Sequence, residues 1–217
     1  MSELLAEKNP EGLTENQQRL ADGIFKIQGI IFGEFTLNSG VISPYYCDLK
    51  YLIEFPELKK LAVEEYHQLL TSLKFDLIAP VPDGTTAISS SVADSLGVGS
   101  IVPRIKEKIH GAKSPIIGLP KDYENKNIAL IDDVITKGNS AIRVIKLLNA
   151  NKVSVSYLAV LVEREEGGVQ KIEKETGVKV LSTFRISQLM DYGYRTGKID
   201  RQNYQRFKNY LAGQRAT

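Results

Sequence analysis

From residue 75 onward, short aliphatic runs alternate with stretches whose apolar positions recur every three or four residues. The runs are "FDLIAPV" from Phe75, "GSIVPRI" from Gly99, "NIALIDDV" from Asn127, "VSVSYLAVLVE" from Val153 and "KVLSTFRI" from Lys179. Each is short and almost continuously apolar, the pattern of a strand covered on both faces. Between them "PDGTTAISSSVADSLG", ending near Gly97, "NSAIRVIKLLNAN" and "GGVQKIEKETG" read as helices. Strands alternating with helices imply parallel pairing through right-handed crossovers. The expected fold is α/β, a parallel sheet of about five strands with helices on both faces. Ligands collect at the carboxyl ends of such strands.

The first third of the chain has a different rhythm. A helix is predicted from Thr14, with Gln17 completing a capping box and Leu20, Ile24, Ile27 and Ile31 on one face. "GEFTLNSGVISPYYCDLKYL" mixes Gly, Ser and Pro with aromatic and branched residues and predicts short strands and a turn. "PELKKLAVEEYHQLLTSL" is an amphipathic helix with Pro56 in its first turn. The expected organisation is one domain over 1–217: an N-terminal hood over 1–55, an α/β core over 56–190 and a C-terminal helical tail over 191–217.

Composition changes this picture only by exclusion. The 217 residues are 42% hydrophobic and 25% charged, and no uncharged apolar run is long enough to span a bilayer. No membrane partner is expected, and the polar start "MSELLAEKNPEG" lacks a secretion signal. The single cysteine, Cys47, suits a reducing cytoplasm. One Cys and two His give no zinc-ligand spacing. A net charge of +2 without a basic helix argues against a nucleic-acid partner.

The chemistry concentrates in "NIALIDDVITKGNSA", Asn127 to Ala141. Two adjacent acids, Asp132 and Asp133, end an apolar run, although burying neighbouring carboxylates is costly. The chain then turns through Thr136, Lys137 and Gly138 into a helix starting near Asn139 or Ser140. The unpaired N–H groups and positive dipole of a helix start make an anion cradle. Gly138 allows close backbone approach, and Thr136 and Ser140 add hydroxyl donors. Carboxylates would repel a phosphate, but they suit sugar hydroxyls or a hydrated Mg²⁺. Cradle and acids together describe a site for a ribose 5-phosphate.

This string resembles the phosphoribosyl diphosphate (PRPP) motif of the parallel-sheet phosphoribosyltransferases. "FTLNSGVISPYYCD", "VPRIKEKIHG" and "EREEGG" follow the order and approximate spacing of the orotate phosphoribosyltransferase family. The resemblance covers roughly residues 14 to 190. It implies transfer of ribose 5-phosphate from PRPP to orotate, giving orotidine 5′-monophosphate and diphosphate in de novo UMP biosynthesis. It also implies Mg²⁺, and a homodimer whose "RIKEKIHG" loop closes over the partner's site. A phosphoribosyltransferase for another base and a non-catalytic PRPP-binding regulator are the alternatives; the regulator would not need the loop's cations.

Arg104, Lys106, Lys108 and His110 recur with period two, so an extended backbone puts all four on one face. Such a line suits a departing diphosphate, or equally an edge strand protected by lysines. The resemblance implies Lys108 and His110 as the catalytic pair and Arg104 and Lys106 as the diphosphate grip, with Ile105 where some members carry lysine. Arg164, in "EREEGG", carries a fork that suits a carboxylate or ring oxygens. Three flanking glutamates also suit a surface arginine; the resemblance makes it the orotate contact. Tyr45 and Tyr46 are candidates for the pocket wall, and Thr136 for a further orotate contact. Asn38 stands where many members have a lysine touching substrate. In "APVPDGTTA" the resemblance points to a diphosphate loop, with Gly84 and Thr85 at a helix start. There Pro82 has no N–H, and Asp83 either caps the helix or holds Mg²⁺ through water.

Overall fold

The computed structural model describes residues 12–36, 40–104, 115–118, 124 and 126–215. Helix α1 (Glu15–Lys26) begins at the predicted capping box: Thr14 Oγ1 accepts from the Gln17 N–H, and the Gln17 side chain accepts from the Thr14 N–H. Its core face is Leu20, Ala21, Gly23 and Ile24. Ile31, predicted on that face, instead lies in β1 (Ile30–Thr36) and is exposed, because the helix stops at Lys26 and strand geometry turns alternate residues outward. β1 pairs antiparallel with β2 (Ile42–Cys47). A 3₁₀ turn over Lys50–Glu54 then leads into α2 (Pro56–Leu70), with Pro56 in its first turn.

The central sheet has five parallel strands. They are β3 (Leu77–Pro80), β4 (Gly99–Ser100), β7 (Asn127–Ile135), β8 (Ser154–Glu163) and β9 (Lys179–Arg185), in the order β4-β3-β7-β8-β9. Helices α3 (Thr86–Leu96), α4 (Asn139–Ala150) and α5 (Gly168–Thr176) make the crossovers. Along β7 the side chains alternate. Ile128 and Leu130 join a core with Val144, Ile145 and Leu148 of α4 and Ile172 of α5, while Ala129 and Ile131 face α2, α3 and the N-terminal elements. Tyr45, Cys47, Leu49 and Leu52 belong to that second core, so the N-terminal elements share it with the sheet.

Two differences from the sequence pattern have simple causes. "GSIVPRI" is not one strand: Gly99–Ser100 joins the sheet, and after Ile101 the chain turns off. Val102–Pro103 (β5) then pairs antiparallel with Ile116–Ile117 (β6). The tail is two helices, α6 (Ile186–Arg195) and α7 (Arg201–Arg215), so the first starts ahead of the expected boundary at 191. Among the described residues no helix is long and apolar enough to cross a membrane.

Candidate active site

Loops at the carboxyl ends of β3, β7 and β8 meet β2 and the 3₁₀ turn around an open cleft of about 720 Å³. β7 continues two residues past the acids to Ile135, so Asp132 and Asp133 sit inside its last turn of pleat. Both line the cleft. Asp132 is buried and Asp133 half-buried. Burial pushes the Asp132 carboxyl well above the ordinary carboxylate value, and the Asp133 charge adds to it. Asp133 is also raised by burial, against the opposing Val134 N–H bond and the nearby Lys50 cation. From α2, the buried Tyr66 hydroxyl donates to the Asp132 carbonyl at 2.7 Å and anchors the strand there.

The predicted anion cradle lies beside the acids. Thr136, Lys137, Gly138, Asn139 and Ser140 all line the cleft, and α4 starts at Asn139. Gly138 has φ 74°, the left-handed region open to glycine. A Cβ there would also come within 2.9 Å of the Gly168 carbonyl oxygen. Gly84, Pro82 and Asp83 line the cleft too. Thr85 is different: its hydroxyl is buried and donates to the carbonyls of Val81 and Ile131, at 2.8 and 3.2 Å, tying the loop to β7. Only its backbone remains for an anion.

Arg164 lines the cleft but is not the surface arginine its flanking glutamates suggested. Its Nη2 lies 2.9 Å from a Glu166 carboxylate oxygen and donates to Ser43 Oγ at 3.1 Å, while its Nε donates to the Tyr45 hydroxyl at 3.1 Å. The guanidinium also sits 4.3 Å from the Tyr45 ring centroid. Burial opposes its charge, yet Tyr45 and Glu166 leave its pKa raised. Tyr45 therefore does not form pocket wall. It is wholly buried, because alternation along β2 sends it to the core under Arg164 and sends Tyr46 into the cleft. Arg104 lies at the base of the basic ribbon, where its N–H donates to the Pro115 carbonyl at 2.8 Å. Asn38, Lys106, Lys108 and His110 lie outside the described residues.

Lys50 is the cation that sequence reasoning missed. It lines the cleft and lowers the pKa of both acids, and its aliphatic stem packs against Gly84. The signal available was a cation just past "SPYYCD". Asp48 joins Asp83, Asp132 and Asp133 in the lining. Among the described residues no three His, Cys, Asp or Glu side chains form a metal cage. That donor set fits a hydrated Mg²⁺ that takes one or two carboxylates here and the rest of its oxygens from water and a phosphate ligand. Four acids against Lys50, Lys137 and Arg164 also leave a polyphosphate in need of added positive charge.

The family described as phosphoribosyl transferase domain matches residues 53–194. The orotate phosphoribosyltransferase of Pyrobaculum islandicum is 34% identical over 181 residues, 83% of this chain and 92% of its own. The structure of Leishmania donovani UMP synthase superposes with a TM-score of 0.83 at 28% identity, over 90% of this chain and 42% of that one. This chain thus spans less than half of that synthase. The orotate phosphoribosyltransferase from Aeropyrum pernix gives a TM-score of 0.67 at 21% identity, over 82% of this chain and 99% of that one, a likeness of fold.

Proposed function

Because the chain belongs to the orotate phosphoribosyltransferase family, we propose that this cleft holds PRPP and orotate and joins them at the sugar. The activity is that of a pentosyltransferase: orotate and PRPP give orotidine 5′-monophosphate and diphosphate, a step of pyrimidine biosynthesis. The carrying observation is that Asp132, Asp133 and the Thr136–Ser140 helix start line one cleft with Arg164.

In this reading the 5-phosphate rests on the Thr136–Ser140 turn, where backbone N–H groups and two hydroxyls donate. Asp132 and Asp133 accept from the ribose hydroxyls, and their charge steadies the sugar cation as the C1–O bond breaks. Orotate N1 passes its proton to water and forms the C1–N bond at the carbon the diphosphate leaves. Arg164 orients the ring through Nη1, since its Nε and Nη2 already hold Tyr45, Ser43 and Glu166. Tyr46 walls the ring, with Thr136 and Asn38 as further contacts. The diphosphate leaves toward Gly84, the Thr85 N–H and Lys50, gripped by Arg104 and Lys106 and protonated from Lys108 or His110. Mg²⁺, held by Asp132 and Asp133 through water or the ribose hydroxyls, would supply the neutralising charge. The working unit is a homodimer in which the basic loop of one subunit closes the site of the other, in the cytoplasm.

The test is ultraviolet absorbance of orotate with protein, PRPP and Mg²⁺, with uracil, hypoxanthine and adenine as parallel acceptors. Loss of the orotate band that needs all three components is the expected result. Consumption of another base instead would overturn the acceptor assignment, and PRPP binding without turnover would make the protein a sensor.

A further inference from the structure

The family match ends at residue 194, and α7 lies wholly beyond it. Yet α7 touches Lys137 of the cleft lining and, through Tyr45, stands behind Arg164. Its Phe207 and Leu211 are buried in the core. The Tyr45 ring meets Phe207 and Tyr210 edge-on, with centroids 5.7 and 6.0 Å apart, and Tyr45 in turn carries Arg164. One turn further along α7, Gln214 Oε1 accepts from Lys137 Nζ at 3.2 Å. The same ammonium donates to the Glu166 carbonyl at 3.0 Å.

An ammonium has three donors. Two of those on Lys137 tie the phosphate turn at 136–138 to the arginine loop at 165–167 and to α7. These two loops are already packed without slack. A Cβ on Gly168 would run into the Thr136 carbonyl oxygen, and one on Gly138 would meet the Gly168 carbonyl and Ile172. Glycines bring the two backbones together, and Lys137 fastens them from the side.

We infer that Gln214 is a positioning residue: through Lys137 it fixes the phosphate turn against the arginine loop, so that α7 sets the spacing between the PRPP and base ends of the cleft. This rests on the reading of Thr136–Ser140 as the PRPP cradle. Without Gln214 the half-buried lysine keeps one protein partner and gains rotamers, and re-ordering it opposes PRPP binding.

The experiment is calorimetric titration of the full-length protein with PRPP and Mg²⁺. It uses wild type, Gln214→Ala, Gln214→Glu, Lys137→Ala and the Gln214→Ala/Lys137→Ala pair. Gln214→Ala is expected to weaken PRPP about fivefold, the net scale of one ordinary hydrogen bond. Gln214→Glu keeps an acceptor oxygen and should bind within about twofold of wild type. In the Lys137→Ala background Gln214→Ala should add nothing, which a helix that merely stabilises the fold would not produce. An unchanged dissociation constant in Gln214→Ala, or an equal loss with Lys137 absent, overturns the inference. Orotate turnover by wild type, measured alongside, separates the two readings. Binding of PRPP without turnover sinks the reaction assignment alone, and absence of PRPP binding by wild type sinks both.

Discussion

Burial raises Asp132 and Asp133, with the Asp133 charge adding at Asp132 and the Asp48 charge at Asp133, so the folded protein holds their protons to higher pH than the unfolded chain does. The unfolded carboxyls ionise near pH 4, and from there upward ionisation favours unfolding until the folded carboxyls have ionised too. These two groups therefore cost nothing below about pH 4 and cost most at neutral and alkaline pH. Asn at position 132 keeps an oxygen that can accept from the Asp133 N–H, as Asp132 Oδ1 does at 3.1 Å, but carries no charge. Asp132→Asn should raise the melting temperature at pH 8, on the order of 3 °C, while abolishing orotate turnover. Scanning calorimetry at pH 8 and pH 4 checks this; an equal gain at both pH values would contradict the electrostatic account. Lys50 offsets part of the same cost. Lys50→Ala should move the acid limb of the kcat/KM profile to higher pH, because the acids then hold their protons longer. A limb that stays in place would remove Lys50 from this role.

At the scale of elements, the cleft depends on how closely turns can approach. Gly168, at the first position of α5, faces the Thr136 carbonyl with no room for a methyl group. Gly168→Ala should push the phosphate turn away from the arginine loop and weaken PRPP about tenfold or more, since the blocking atoms are backbone. Calorimetry decides it, and wild-type affinity in that variant would show the turns to be independent. The elements were legible where burial on both sides makes a continuous apolar run, as in "NIALIDDV" and "VSVSYLAVLVE". They were not legible where pairing lasts two residues, as at Val102–Pro103, because so short a strand leaves no period to read. The alternation of "SPYYCD" was visible, but its phase was not: Tyr45 turns inward onto partners as distant as Phe207 and Tyr210, about 160 residues on, and Tyr46 faces the cleft. The burial of Arg164 was hidden for a similar reason. Its flanking acids look like a solvated surface until Ser43 and Tyr45 cover the guanidinium. Lys50 was missed because its partners lie some 80 residues away.

For the molecule as a whole, the proposed chemistry requires that the cleft be closed against water. The 3₁₀ turn and its neighbours expose Tyr51, Ile53 and Phe55 at 54, 45 and 41%, next to Lys50 of the cleft. Apolar surface beside a site is where a second copy of the chain can bury area. The basic ribbon begins and ends at one place, because β5 pairs with β6 and Arg104 with Pro115 across its base. In a homodimer that exchanges ribbons, one subunit supplies Lys108 and the other supplies Asp133 to the same site. Lys108→Ala and Asp133→Asn should each abolish turnover, and Lys108→Ala should leave PRPP affinity almost intact. Unfolding and refolding the two variants together should then restore about a quarter of wild-type activity, since half the dimers are mixed and each mixed dimer has one fully wild-type site. If the ribbon acted within its own subunit, every site in every dimer would carry one substitution. Mixing would then restore nothing, and the cleft would have to be closed by its own chain.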